Sequence, residues 1–129
     1  MEMDIYLLLC LALDQLGIKV SVVPELTSLG VNTPTEIKLR EQDVDSLAHE
    51  AVHALQRILL ARDVFFLFGL DPLEFNPDLP AEVAQLLVEA VKEGYPPEEW
   101  EVEIPAYALE LSPLRVIVLL RQWAAVEAK

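Results

Sequence analysis

Basic residues are scarce in this chain. Nine Lys and Arg stand against 22 Asp and Glu, a formal net charge of −13. Nucleic acid and anionic membrane are bound through basic patches, so this balance disfavours both as partners. The surplus of acid reads first as solubility. Cysteine is nearly absent. The single Cys10 excludes an internal disulfide and a cysteine-based zinc site, and its apolar neighbours suit an inert buried thiol. The apolar run Ile5 to Leu13 is too short to cross a bilayer. Glu2 and Asp4 stand where a signal peptide carries Lys or Arg, and no small-residue cleavage site follows. A cytoplasmic protein is expected. The last scarcity is histidine, of which the chain has two.

What is present is hydrophobic. With 53% hydrophobic residues over 129 positions, the chain has the material for one domain, residues 1–129, with a real core. No repeat, low-complexity tract or linker divides it. Residues 4–16 read as a helix apolar on nearly all sides, stopped by Gly17. Residues 18–22 and 36–40 alternate apolar and polar, as half-buried strands do. Pro24 and residues 30–34 mark the loop between them, and the two strands are expected to pair as a hairpin with a long connection. Asp43 or Asp45 can cap the next helix. Its Val44, Leu47, Ala48, Ala51, Val52, Leu55, Ile58 and Leu59 form one apolar stripe, and the apolar residues 62–70 extend it to about Phe68. Pro80 opens a helix over 81–93, which Gly94 ends, with Leu86, Leu87, Ala90 and Val91 as its core face. Pro96 and Pro97 open a segment that runs to Glu110. Ser112 and Pro113 start a last helix, Leu114 to about Val126. Trp100 and Trp123 read as core or interface aromatics, and Phe65, Phe66 and Phe68 as core first, with an apolar substrate wall as the alternative. The fold class is α+β, mostly helical, with a small antiparallel sheet or hairpin before the central helix.

Both histidines fall on that central helix. His49, Glu50 and His53 spell H-E-x-x-H. Residues four apart share a helix face, so two imidazoles at this spacing can hold one divalent metal ion. Glu50 is turned off that face by one residue, within reach of a water at the metal, as a general base must be. His49 and His53 project roughly opposite the apolar stripe, so a second layer is expected to cover them. Two ligands do not complete a catalytic zinc site, which takes three from the protein. With no further histidine or usable cysteine, the third must be a carboxylate from another element, downstream on a helix able to lie across the histidines.

This H-E-A-V-H helix, preceded by a short strand and followed by a Glu-bearing helix, resembles the gluzincin metallopeptidases, in particular their minimal single-domain members. The likeness covers about residues 35 to 111. In such proteins the third ligand is a Glu in an E-x-x-A-aromatic-A pattern, which Glu103-Ile104-Pro105-Ala106-Tyr107-Ala108 matches. Glu99, Glu101 and Glu110 are its rivals. The resemblance implies a zincin-like fold, zinc on His49, His53 and Glu103, and Glu50 as the base. It also implies a peptide or protein substrate in extended conformation, paired along the strand around Ile37. Larger gluzincins place an acid four residues after the ligand Glu to orient a histidine. Here that position is Tyr107, and Glu110 is the alternative acid. Transition-state stabilisation falls to Tyr95, Tyr107 or an Arg. Pro105 disfavours a helical Ile104, so the helix is expected to start or kink there. The competing expectation is a non-catalytic or latent binding module on the same scaffold, with the last helix as a candidate cover over the cleft.

Overall fold

The computed structural model describes residues 4–28 and 30–127. Helix α1 (Ile5–Gln15) starts where the Asp4 carboxylate accepts the Leu7 N–H, and ends before Gly17, whose φ of 78° suits a residue without a Cβ. It buries Leu9, Ala12 and Leu13, while Leu7 and Leu11 are about half exposed. It is therefore one-sided, not apolar-covered all round.

Three short strands follow: β1 (Lys19–Val22), β2 (Gly30–Asn32) and β3 (Glu36–Leu39). The sheet order is β1-β3-β2, with β1 parallel and β2 antiparallel to β3. The expected hairpin of β1 with β3, and with it a purely antiparallel sheet, is thus incorrect. The residues between β1 and β3 give the dozen or so that a parallel crossover needs. Within them Gly30, Val31 and Asn32, read as loop, form the strand that does hairpin with β3. Thr33 closes that turn, its N–H and hydroxyl donating to Glu36 O and its hydroxyl accepting the Glu36 N–H. β3 is consequently the central strand, with Ile37 and Leu39 fully buried.

Helix α2 (Val44–Leu60) is capped by Asp43, which accepts from the Ser46 N–H and hydroxyl. It stops eight residues short of Phe68. Asp63 takes a positive φ of 57°, and Asp63 and Val64 donate back to Leu60 O and Leu59 O, a left-handed C-terminal lock usually built on Gly or Asn. Past it, Leu67 is buried but Phe65 and Phe66 are exposed, against the expectation of a core cluster. The short α3 (Pro72–Phe75) and α4 (Ala81–Gly94) come next. The face of α4 turned inward carries Ala84 and Val91; Leu86, expected in the core, is 64% exposed.

A 3-10 turn (Pro97–Glu99) leads into α5 (Trp100–Glu110), and α6 (Pro113–Glu127) closes the chain. α5 starts one turn before Pro105 and runs through it, with Ile104 helical and fully buried. A proline lacks the N–H that would bond the carbonyl four residues back. Here that carbonyl, Glu101 O, takes the Gly69 N–H instead, at 3.1 Å. α5 packs across α2, and α1 and α6 pack together against the other elements of the core. Among the described residues no helix is long and apolar enough to cross a membrane.

Candidate metal centre

α2 presents His49 and His53 one turn apart, and α5 covers them. Glu103, in the first turn of α5, reaches down onto both imidazoles. Its Oε1 lies 3.0 Å from His49 Nε2 and 3.1 Å from His53 Nε2, and the two Nε2 atoms are 3.1 Å apart. Donors bonded at about 2.0–2.1 Å to one small divalent ion stand roughly 3 Å from each other. The His49, His53 and Glu103 group is therefore close enough to bind a single metal ion. The three side chains are 13–18% exposed, so the point they surround is shielded but open on one side. Glu99 and Glu101 are not part of this group.

The far nitrogen of each ring is also engaged. His49 Nδ1 is 2.9 Å from Glu110 Oε1, and a carboxylate can only accept there. His53 Nδ1 is 2.8 Å from Gln56 Oε1. Gln56 is buried, and its amide nitrogen already donates to Leu67 O and Val102 O at 2.9 and 3.0 Å. Its oxygen therefore has to be the acceptor. Both Nδ1 atoms carry the proton, and in the neutral rings both Nε2 atoms offer a lone pair to the same point, the arrangement that metal-binding histidines adopt. Gln56 had no role in the sequence reading. The signal was its place three residues after His53, on the same helix face.

The cluster is electrostatically tight. Burial works against charge on His49, but hydrogen bonds with Glu103 and Glu110 outweigh it and raise its pKa to about 9. Burial likewise works against the Glu103 carboxylate, yet hydrogen bonds from His49 and His53 lower its pKa to about 2. A metal ion taking this site has to displace the His49 proton.

Glu50 stands on the neighbouring face of α2, under β2. Asn32 Nδ2 donates to Glu50 O at 2.6 Å and to its Oε1 at 3.2 Å. Asn32 is itself held by Arg57, whose Nη2 donates to Asn32 Oδ1 at 2.9 Å. The carboxylate lies against Gly30, where a Cβ would come within 3.1 Å of both Glu50 Cγ and Oε2. Gly30, Asn32 and Arg57 were all missed as site residues. Arg57 alone carried a signal, seven residues after Glu50 on one helix face. Glu50, His49, Gly30, Ser46, Tyr95, Tyr107 and Glu110 line a cleft of about 330 Å³. Tyr107 sets its ring edge-on to His49, with centroids 4.4 Å apart, and its hydroxyl lies 2.6 Å from that of Tyr95. Burial, together with that bond, pushes the Tyr95 phenol well above its ordinary value. The larger apolar hollow beside Phe66 and Val118 lies elsewhere and contains none of these groups.

One further expectation needs correcting. β3, the strand around Ile37, is paired on both sides and cannot take up another strand; the open edge beside the site belongs to β2. Compared with family models, curated proteins and solved structures, the chain matches none of them, so what the site can do rests on its geometry.

Proposed function

We propose that this chain is a small zinc-dependent peptidase built on the plan of the gluzincins. The observation that carries the reading is the convergence of His49 Nε2, His53 Nε2 and Glu103 Oε1 within 3.1 Å, with both imidazoles anchored from behind and Glu50 beside His49 in one cleft. The donor set is two imidazoles and a carboxylate, which suits a catalytic zinc and leaves a position free. Held by His49, His53 and Glu103, a zinc ion would supply Lewis acidity to a carbonyl and to a water.

The chain's own residues supply the rest. Glu50, held at one oxygen by Asn32, keeps its second oxygen for a proton. It takes the proton of the attacking water and returns it to the leaving amine. The Tyr95–Tyr107 hydroxyl pair lines the opposite wall and offers a donor to the oxygen that becomes negative. The outer edge of β2, where the Gly30 and Asn32 carbonyls accept from Ser28 and Arg57, is the edge along which an extended peptide can add as a strand by replacing those bonds. Its placement over Glu50 brings such a peptide to the base.

The test is hydrolysis of a mixed peptide library by zinc-loaded protein, read by mass spectrometry. Glu50→Gln keeps the shape and removes the base, so turnover is expected to fall by about 10²–10⁴-fold with zinc still bound. Undiminished cleavage by Glu50→Gln, or full zinc retention by His53→Ala, would overturn the reading.

A further inference from the structure

The free edge of β2 is met at one point by a side chain of α2. β2 pairs with β3 through Val31, opposite Lys38, and through the turn at Thr33, whose N–H donates to Glu36 O. Alternate residues of an antiparallel strand turn their backbone groups to opposite sides. Gly30 and Asn32 therefore direct their carbonyls outward, away from β3. The Asn32 carbonyl meets Arg57, which stands one turn of α2 beyond His53. Arg57 Nη2 lies 3.4 Å from Asn32 O and 2.9 Å from Asn32 Oδ1. One guanidinium nitrogen is thus shared between the edge of the strand and the side-chain amide. That amide donates in turn from Nδ2 to Glu50 O and Oε1, at 2.6 and 3.2 Å.

The choice of partner is unexpected in so acidic a chain. There are 22 Asp and Glu, yet among the described residues Arg57 forms no ion pair and bonds only the two neutral oxygens of Asn32. What is used is the fixed donor geometry of the guanidinium and not a charge pair. The two bonds are also unequal. At 2.9 Å the one to the amide oxygen is an ordinary hydrogen bond, and at 3.4 Å the one to the edge carbonyl is long and weak. A peptide strand that adds to β2 brings its own N–H to Asn32 O. It displaces the weak bond and leaves the strong one. Nη2 then serves the amide alone, and the amide nitrogen stays turned to Glu50.

We propose that Arg57 is a positioning residue that links the pairing of a peptide with β2 to the placement of Glu50, acting through the Asn32 amide. The inference rests on the peptidase reading, and one of its tests needs neither zinc nor turnover. Without Arg57 the edge is easier to enter, but the amide that steadies Glu50 is loose. Arg57→Met keeps the aliphatic stem and removes the donors. For a peptide that wild type cleaves, kcat is expected to fall about tenfold, as a misplaced base would have it. KM should stay unchanged or fall by up to about twofold, because one weak bond no longer has to be displaced. Zinc affinity should not change. In Asn32→Ala the route to Glu50 is already cut, so adding Arg57→Met should cost no further kcat. If Arg57→Met does not fold, Arg57→Gln, whose polar head is too short for these bonds, takes its place with the same expected results.

The second readout is NMR of the isotope-labelled, zinc-free protein. Through-space contacts between the Asn32 amide protons and the Glu50 γ-protons are expected in wild type and should be lost in Arg57→Met. Their persistence in the variant overturns the inference. So does a further loss of kcat in the double variant, which would make Arg57 act independently of Asn32. A raised KM at unchanged kcat overturns it as well and makes Arg57 a contact of the peptide itself. In an active wild type, each of these three results leaves the peptidase reading standing. Wild type that holds zinc and cleaves no peptide brings down that reading, and the link through Arg57 with it.

Discussion

Gln56 is the residue on which the two aspects of the site, stability and metal binding, can be separated. It makes three hydrogen bonds from a buried position: its oxygen accepts from His53 Nδ1 at 2.8 Å, and its nitrogen donates to Leu67 O and Val102 O at 2.9 and 3.0 Å. Gln56→Leu keeps much of the volume and removes all three. Each such bond contributes about 0.5–1.5 kcal/mol net, and the partners left behind are buried. The zinc-free protein is expected to lose roughly 2–4 kcal/mol, read as a lower midpoint in urea at unchanged slope. The same substitution frees the His53 ring to turn and to change tautomer. Loss of such an anchor lowers metal affinity by about 10- to 100-fold.

These two losses add in one measurement and not in the other. If the folded chain binds zinc as proposed, the stability that saturating zinc confers falls by the logarithm of the affinity ratio. The loss relative to wild type should therefore be larger by about 1.4–2.7 kcal/mol at saturating zinc than without zinc. Chelator competition gives the affinity ratio independently. If stability falls by the same amount with and without zinc, and the affinity is unchanged, Gln56 is only a tie between α2 and α5. The account of His53 as an anchored ligand then fails.

Two further expectations concern charge and fit. In the zinc-free protein, Glu103 contributes stability that is fully present above its ordinary pKa of 4.5 and lost as pH falls toward about 2, because its folded pKa is lowered. His49 contributes stability that is fully present below its ordinary 6.5 and lost as pH rises through about 9, because its folded pKa is raised. These two groups together give a plateau between about pH 4.5 and 6.5, and zinc affinity should climb with pH up to about 9 as the His49 proton becomes easier to displace. Urea titrations across pH, and zinc competition at pH 6, 7 and 8, check this; an affinity flat over that range refutes it. Gly30→Ala places a Cβ 3.1 Å from Glu50 Cγ and Oε2 and displaces the carboxylate without touching a ligand. Turnover is expected to fall about tenfold, with zinc affinity unchanged; full activity would show that the position of Glu50 is not critical.

The readable part of the site is the part that lies on one helix. An aspartate cap at Asp43 or Asp45, of which the structure uses Asp43, follows from local chemistry, and the apolar stripe of α2 and the projection of both histidines away from it follow from a period of 3.6 residues. Glu103 follows from the resemblance, and Pro105 argues physically against its helical setting. That argument treated the helix as if it stood alone. The carbonyl orphaned by the proline is bonded by the Gly69 N–H, a donor thirty-odd residues away that no local pattern can announce. The end of α2 was unreadable for a related reason. Its lock uses Asp63 in the conformation usually marked by Gly or Asn, so the apolar residues beyond it looked like more helix.

β2 and α4 were misread because sequence weighs residues by type and structure weighs them by neighbour. Gly30 and Asn32 are turn formers by propensity, yet here each is required by Glu50: the first by leaving space for its carboxylate, the second by donating to it. Their composition disguises the strand for the reason that makes it useful. In α4 the sequence reads Leu86, Leu87, Ala90 and Val91 as the core face, yet of these Val91 alone is fully buried and Leu86 is 64% exposed. Helix α4 packs instead through the small Ala84 together with Val91, and Leu86 and Leu87 are left beside Tyr107. At β2 the disagreement between local preference and tertiary structure lies next to the metal centre. Such conflicts lower foldability and persist where they serve the site.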